Sequence, residues 1–190
     1  MGIDLTKSGV MNAILARRST KRFADTPPSR TELETLLQAA VTAPDHGLLA
    51  PWRFTVLEGD SRALLGDALV AALRSRLPLS DEETVARERS KAFRSPVLIV
   101  VSVRPTPHPK VPEIEQWVAT GAAVQNLWLT AVSLGLGLAW KTGGAAYDPG
   151  VKRALGLADD EGIAGFLHVG TPLAQSVPRQ PEAASRTRWL

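Results

Sequence analysis

The run Val97, Leu98, Ile99, Val100, Val101, Ser102 and Val103 constrains the fold of this chain more than any other stretch. β-Branched residues lose rotamer freedom in a helix but pack well on a pleated surface, so the run reads as a strand. It does not alternate between apolar and polar residues, and Pro96 stands directly before it. Such a strand is buried on both faces and belongs at the centre of a sheet. A sheet covered on both faces needs helices around it, and the rest of the chain supplies them.

Ser29 and Glu32 have the spacing of a capping box, and Leu33, Leu36, Leu37 and Ala40 then recur at i, i+3, i+4 and i+7, with Pro44 as the limit. Residues 53–57 alternate as a strand, and Gly59, Asp60 and Ser61 open a helix bearing Leu64, Leu65, Ala68, Leu69 and Ala72. Residues 78–94 are charged and read as a solvated helix or lid. Prolines at 105, 107, 109 and 112 force residues 104–112 into an extended surface loop. Trp117, Gly121, Val124, Leu127, Trp128, Ala131 and Leu134 mark the longest helix, which Gly135 and Gly137 end. Residues 136–141 and 163–169 are further strands, separated by a short helix that Asp148 and Pro149 open and Gly156 closes. With no repeat and no linker, residues 1–190 form a single α+β domain of about four strands. Residues 173–190 form a C-terminal arm ending in Trp189 and Leu190, and an arm of this kind is expected to pack on a second subunit.

Composition removes several function classes. The chain has no cysteine, which excludes disulfides, thiolate metal sites and thiol catalysis. His46, His108 and His168 are far apart and form no helical ligand pair, so no metal site is expected. A net charge of +3 is too small to indicate nucleic-acid binding by itself. No apolar run reaches the ~20 residues of a membrane span, so no membrane association and a cytoplasmic location are expected; Met1, Gly2 and Thr6 match only the loose myristoylation pattern. Phosphate-binding glycine fingerprints and a nucleophile elbow are absent, and Glu113 and Glu115 are better placed to complement a helix dipole than to act as a catalytic pair. The five tryptophans are dispersed, and most are expected in the core.

The densest chemistry lies in Arg17, Arg18, Ser19, Thr20, Lys21, Arg22 and Phe23. Four cations this close together repel one another, an arrangement that a bound polyanion relieves. A helix through Val10, Ile14 and Leu15 running into the segment would instead make it a solvated, dipole-complementing helix end. Both readings stand on the residues alone. A second prescribed segment runs through Ala43, Pro44, Asp45, His46, Pro51 and Trp52.

Taken together, these two segments resemble the small branch of the nitroreductase family of flavin enzymes, and the likeness continues through Trp140, Lys141 and Thr142 to Gly170, Thr171 and Pro172. The resemblance implies an α+β fold with a mainly antiparallel sheet flanked by helices, a homodimer, and FMN at the subunit interface. It implies a two-step ping-pong oxidoreductase in which NADH or NADPH reduces the flavin and a small electron acceptor, such as a nitroaromatic or quinone, reoxidises it. Arg17, Arg18 and Ser19 would hold the FMN phosphate and ribityl chain, and Lys21 would raise the potential beside the pyrimidine end. Thr42 and His46 would reach the flavin from the partner subunit, and Trp140, Lys141 and Thr142 would line it. The helix end Thr130, Ala131, Val132, Ser133, Leu134 and Gly135 would lie near the nicotinamide nucleotide. Ala50 departs from the family, where an amide often precedes the Pro-Trp pair, and Arg179 is the candidate for a C-terminal phosphate ligand. Two alternatives carry different chemistry: a specialised reaction of the same fold, such as flavin breakdown or dehalogenation, and a non-enzymatic module binding phosphate or RNA through the cationic stretch.

Overall fold

Every residue of β2 (Val97–Val103) is buried, and the protein is built outwards from it. A computed structural model of the chain describes residues 9–174 and 183–190; Met1, Gly2, Thr6, Pro178, Arg179 and Pro181 lie outside them. With β1 (Trp52–Glu58), β3 (Gly137–Lys141) and β4 (Gly162–Gly170), β2 forms a four-stranded sheet of order β1-β2-β4-β3. All its pairings are antiparallel, and β2 and β4 occupy the middle.

Alternation along β2 feeds two cores. Val97, Ile99 and Val101 face a cluster with α2 (Arg30–Ala40) and α5 (Glu113–Ser133), including Leu33, Leu36, Val124 and Leu127. Leu98 and Val100 face the other cluster, with α3 (Ala63–Arg76) and α6 (Pro149–Ala154). The helix α4 (Glu82–Ser90) packs against α3 outside that second cluster and buries only Val85, as its charged sequence requires. Among the described residues no helix is long and apolar enough to cross a membrane.

The helix starts follow from the sequence. Ser29 Oγ accepts from the Glu32 N–H, and the Glu32 carboxylate accepts from the Ser29 N–H, closing the capping box of α2. The stop of α5 is set by Gly135 at φ 74°, a left-handed position that glycine occupies without strain. Val124, Leu127, Trp128 and Ala131 of its expected face are buried and Trp117 and Gly121 half-buried; Gln116, Ala119, Thr120 and Ala123 widen the face, and only Leu134, 41% exposed, departs from it. Gln116 is buried because it pairs through its amide oxygen and NH2 with the Thr106 N–H and carbonyl at 2.8 Å, which anchors the proline loop to the helix. Leu64 likewise turns outward while Leu65, Leu69 and Leu73 enter the core, because residues 59–62 form a 3-10 turn before α3 begins. Of the tryptophans, Trp52 and Trp128 are core, Trp117 and Trp140 are half-buried, and Trp189 is exposed.

The largest departure concerns the first helix. α1 (Gly9–Ala16) stops before the cationic stretch and buries no residue. Val10, Ile14 and Leu15 are 65%, 40% and 38% exposed.

Candidate functional site

Beyond Ala16 the cationic stretch leaves the helix because its backbone finds partners on the sheet. The Thr20 N–H donates to Leu138 O at 2.9 Å, the Ala24 N–H to Thr171 O at 2.9 Å, and the Leu173 N–H to Arg22 O at 3.1 Å. Ser19 bridges Leu138 in parallel, and Phe23 bridges Pro172 in antiparallel fashion. The segment is thus an extended strip stapled along the open edge of β3 and the end of β4. The alternative of a helix end does not describe it. Two glycines permit the close approach. A Cβ on Gly137 would collide with the Thr20 side chain, and a Cβ on Gly170 would lie 2.8 Å from the Pro96 ring and 3.3 Å from Phe23.

The strip aims its cations differently. The Arg17 guanidinium lies 4.4 Å from the ring centroid of Trp128 on α5, a cation–π contact that places this side chain on the α5 face of the sheet. Arg18 is half-buried and its Nη1 donates to the Leu15 carbonyl at 2.8 Å, which caps the end of α1. Ser19, Lys21 and Arg22 are exposed.

At the far end of β3, alternation separates the expected triplet. Trp140 packs on the α5 face, where its Nε1 donates to Ala164 O at 3.0 Å. The indole sits so close over Gly165 that a Cβ there would lie 2.5 Å from Trp140 Cδ1. Lys141 projects to the α3 face and lines a cavity with Thr142, Arg76, Arg94 and His168. The structure therefore joins Trp140 with the face that carries Arg17, and it does not bring the Lys141 side chain to them.

Thr42 and the end of α5 meet in a groove of about 460 Å³ between α1, α2 and α5, lined by Val10, Thr42, Asn126, Leu129, Thr130 and Ser133 among others. Thr42 Oγ1 donates to Ala39 O at 2.8 Å, and Thr130 Oγ1 to Asn126 O at 2.9 Å. Of the remaining helix-end residues, Ala131 is fully buried, Val132 is half-buried, and Leu134 and Gly135 are exposed.

His46 lies elsewhere, on the loop whose path the flanking prolines set. Its Nδ1 is 2.6 Å from Glu115 Oε2, with both side chains about half exposed. The loop is held inside by Asp45, whose carboxylate accepts from the Ala50 N–H at 2.6 Å. Leu48 and Ala50 stand at φ 53° and 45°, left-handed values that cost an L-residue about 1 kcal/mol or more.

Family comparison agrees with this architecture. The model of the Nitroreductase family matches residues 14–171. The chain belongs to the nitroreductase family. YdjA of Escherichia coli strain K12, an NAD(P)H nitroreductase by name, is 34% identical over 166 residues, covering 85% of this chain and 87% of that protein. A crystal structure of a nitroreductase-like family protein from Bacillus cereus superposes with a TM-score of 0.84 at 29% identity, covering 100% of this chain and 98% of the other. A Desulfovibrio desulfuricans nitroreductase solved in complex with FMN gives 0.76 at 25% identity, over 95% and 96% of the two chains.

Several site residues of this nitroreductase-family chain carried no sequence signal. Glu115 reads as a dipole partner but holds His46, and Glu113 accepts from Trp117 Nε1 at 3.1 Å. Trp128 lies within a helical core stripe, so only the fold reveals that Arg17 stacks on it. Gly137 looks like a helix terminator, and its closeness to Thr20 depends on a pairing between distant segments.

Proposed function

We propose that the protein is an FMN-dependent oxidoreductase that takes electrons from NADH or NADPH and passes them to small acceptors such as nitroaromatics or quinones. The observation that carries this reading is the stapled strip: Arg17, Arg18, Ser19 and Lys21 held in extended form beside the edge of β3, in a chain of the nitroreductase family. The donor set fits FMN. Forked guanidinium groups and a hydroxyl match a phosphate, and an ammonium matches the pyrimidine carbonyls. The half-buried Trp140 indole gives a flat wall for the ring on the same face as Arg17. FMN, when bound, supplies the hydride acceptance and electron delivery that no side chain here can perform.

The chain's own contribution is placement. Thr20, by bonding to Leu138, fixes the strip against the sheet, and Arg17 is held by Trp128. Lys21 sits exposed, where a cation favours the accumulation of negative charge on a bound ring. The site is completed by a second subunit. α1 offers an apolar face that its own protomer does not cover, and Val118 on α5 is 66% exposed. An uncovered apolar helix next to the groove at Thr42 favours a homodimer, with Thr42 and His46 of each chain serving the flavin of the other. Thr130 and Ser133, in the same groove, are the residues of the α5 end that remain available to a nicotinamide nucleotide.

The test is the visible spectrum of the purified protein. Flavin bands that NADH or NADPH bleaches under anaerobic conditions support the reading, and failure to bind added FMN overturns it. Arg18→Ala is expected to weaken FMN binding at least about tenfold, the equivalent of ~1.4 kcal/mol, with the far-UV spectrum retained. Unchanged flavin affinity would refute the phosphate assignment.

A further inference from the structure

On the face of the sheet opposite Trp128, a cavity of about 500 Å³ opens between α3, the turn after α4, and the ends of β3 and β4. Leu65, Leu69 and Phe166 form its apolar wall, and His168 lies at its floor, only 4% exposed. Its charged lining is Arg76 from α3, Glu88 from α4, Lys91 and Arg94 from the turn region, and Lys141 from β3.

These charges do not cancel. Glu88 and Lys91 pair with each other at 2.6 Å. The side chains of Arg94 and Lys141 have no hydrogen-bond or ion-pair partner among the described residues, and Arg76 uses its Nε on the Ala72 carbonyl at 3.1 Å. Gly144 makes room for the Arg76 fork, since a Cβ there would lie 2.9 Å from Nη1. Three unoffset cations thus line one hollow. All three are solvent-exposed, so water screens part of their repulsion, and an anion placed among them offsets the rest.

The imidazole at the floor is set up to respond. Ser95 Oγ donates its single proton to Val97 O at 2.7 Å, so at 3.0 Å it can only accept from His168 Nδ1–H. That bond fixes one proton of His168 on Nδ1; burial disfavours a second on Nε2, which has no protein partner among the described residues.

We infer that this cavity is a binding site for a small amphiphilic dianion, whose charged groups engage Arg76, Arg94 and Lys141, whose apolar body lies on Leu65, Leu69 and Phe166, and whose anion meets His168 Nε2. Burial, with Arg94 and Lys141 adding their charge, holds the free imidazole down at about 4. A dianion offsets both cations and draws a proton to Nε2, which then donates to it. Binding takes up a proton, so affinity rises as pH falls from 8 towards 6.

The probe is benzene-1,3-disulfonate, whose two charges do not change with pH, titrated calorimetrically into the full-length protein with and without added FMN. Saturable binding, tighter at pH 6 than at pH 8, is expected. Arg94→Gln and Arg76→Gln should each weaken it at least tenfold while leaving FMN content unchanged. Absence of saturable binding in the wild type, wild-type affinity in both variants, or displacement of FMN by the probe would overturn the inference. The His168 ring resonances of the wild type, which must shift on titration, provide a readout that needs no variant; their constancy would also overturn it. The inference stands apart from the flavin reading: a protein that binds the probe but never FMN would sink that reading alone.

Discussion

Gly137→Ala is the sharpest test of how the cationic strip is held. A Cβ at this position would collide with Thr20 Oγ1 and lie 2.9 Å from Thr20 Cγ2 and 3.0 Å from Thr20 Cβ. Carbon atoms prefer about 3.5–4.0 Å, so the strip must retreat by roughly half an ångström to one ångström. That retreat stretches the 2.9 Å bond from the Thr20 N–H to Leu138 O. Overpacking of this kind costs about 1–3 kcal/mol, and a weakened buried-edge hydrogen bond adds about 1 kcal/mol. We expect a loss of ~2–4 kcal/mol in guanidinium unfolding and at least a tenfold loss of FMN affinity by flavin fluorescence titration. Thr20→Ala removes two of the three colliding atoms. In the Gly137→Ala background it should therefore recover about half of both losses, a coupling above ~1 kcal/mol. A single variant within about 0.5 kcal/mol of wild type, or strictly additive effects in the double variant, would refute the docking argument.

Ser29→Ala removes one half of the α2 capping box and should cost about 1 kcal/mol in urea unfolding with no change in the slope. Ala50→Gly relieves a residue at φ 45° and should raise stability by up to about 1 kcal/mol, measured as a higher unfolding midpoint; a lower midpoint would show the strain to be absent. His168, whose folded value is depressed to about 4 from 6.5, binds protons more readily in the unfolded chain. Its stabilising contribution is complete above 6.5 and is lost as pH falls towards 4, by up to about 3 kcal/mol, and His168→Gln should flatten that part of the stability–pH curve.

Strand and helix positions were readable wherever one local rule acted alone. The β2 run, the capping box at Ser29 and the glycine stop after α5 each rest on one mechanism, and the structure has each in place. Expectations departed from the structure where partners distant in sequence decide. Periodicity carries α1 into Arg17, but the Thr20 and Ala24 N–H groups find carbonyls on residues 138 and 171 and draw the chain into an extended path. The α5 face also takes in Gln116, which a hydrophobicity count treats as solvent-facing and which its pairing with Thr106 buries. For the site, cation density marked the strip, whereas the stack of Arg17 on Trp128 and the Glu115 partner of His46 needed the fold.

The period of two in β3 also divides the work of Trp140 and Lys141. Trp140 packs in the α5-side core, while Lys141 lines the opposite cavity and helps depress His168. Side chains on opposite faces of one strand cannot both contact one planar ring lying on a single face. If Lys141 serves the flavin, it does so through its backbone at the strand end, which a side-chain substitution leaves in place. Lys141→Met should therefore keep FMN affinity within about threefold of wild type, in contrast to Arg18→Ala. The same substitution removes a cation from beside His168 and should raise the pH at which its ring resonances titrate. A tenfold loss of flavin with an unmoved His168 titration would mean that the ammonium reaches round to the flavin side.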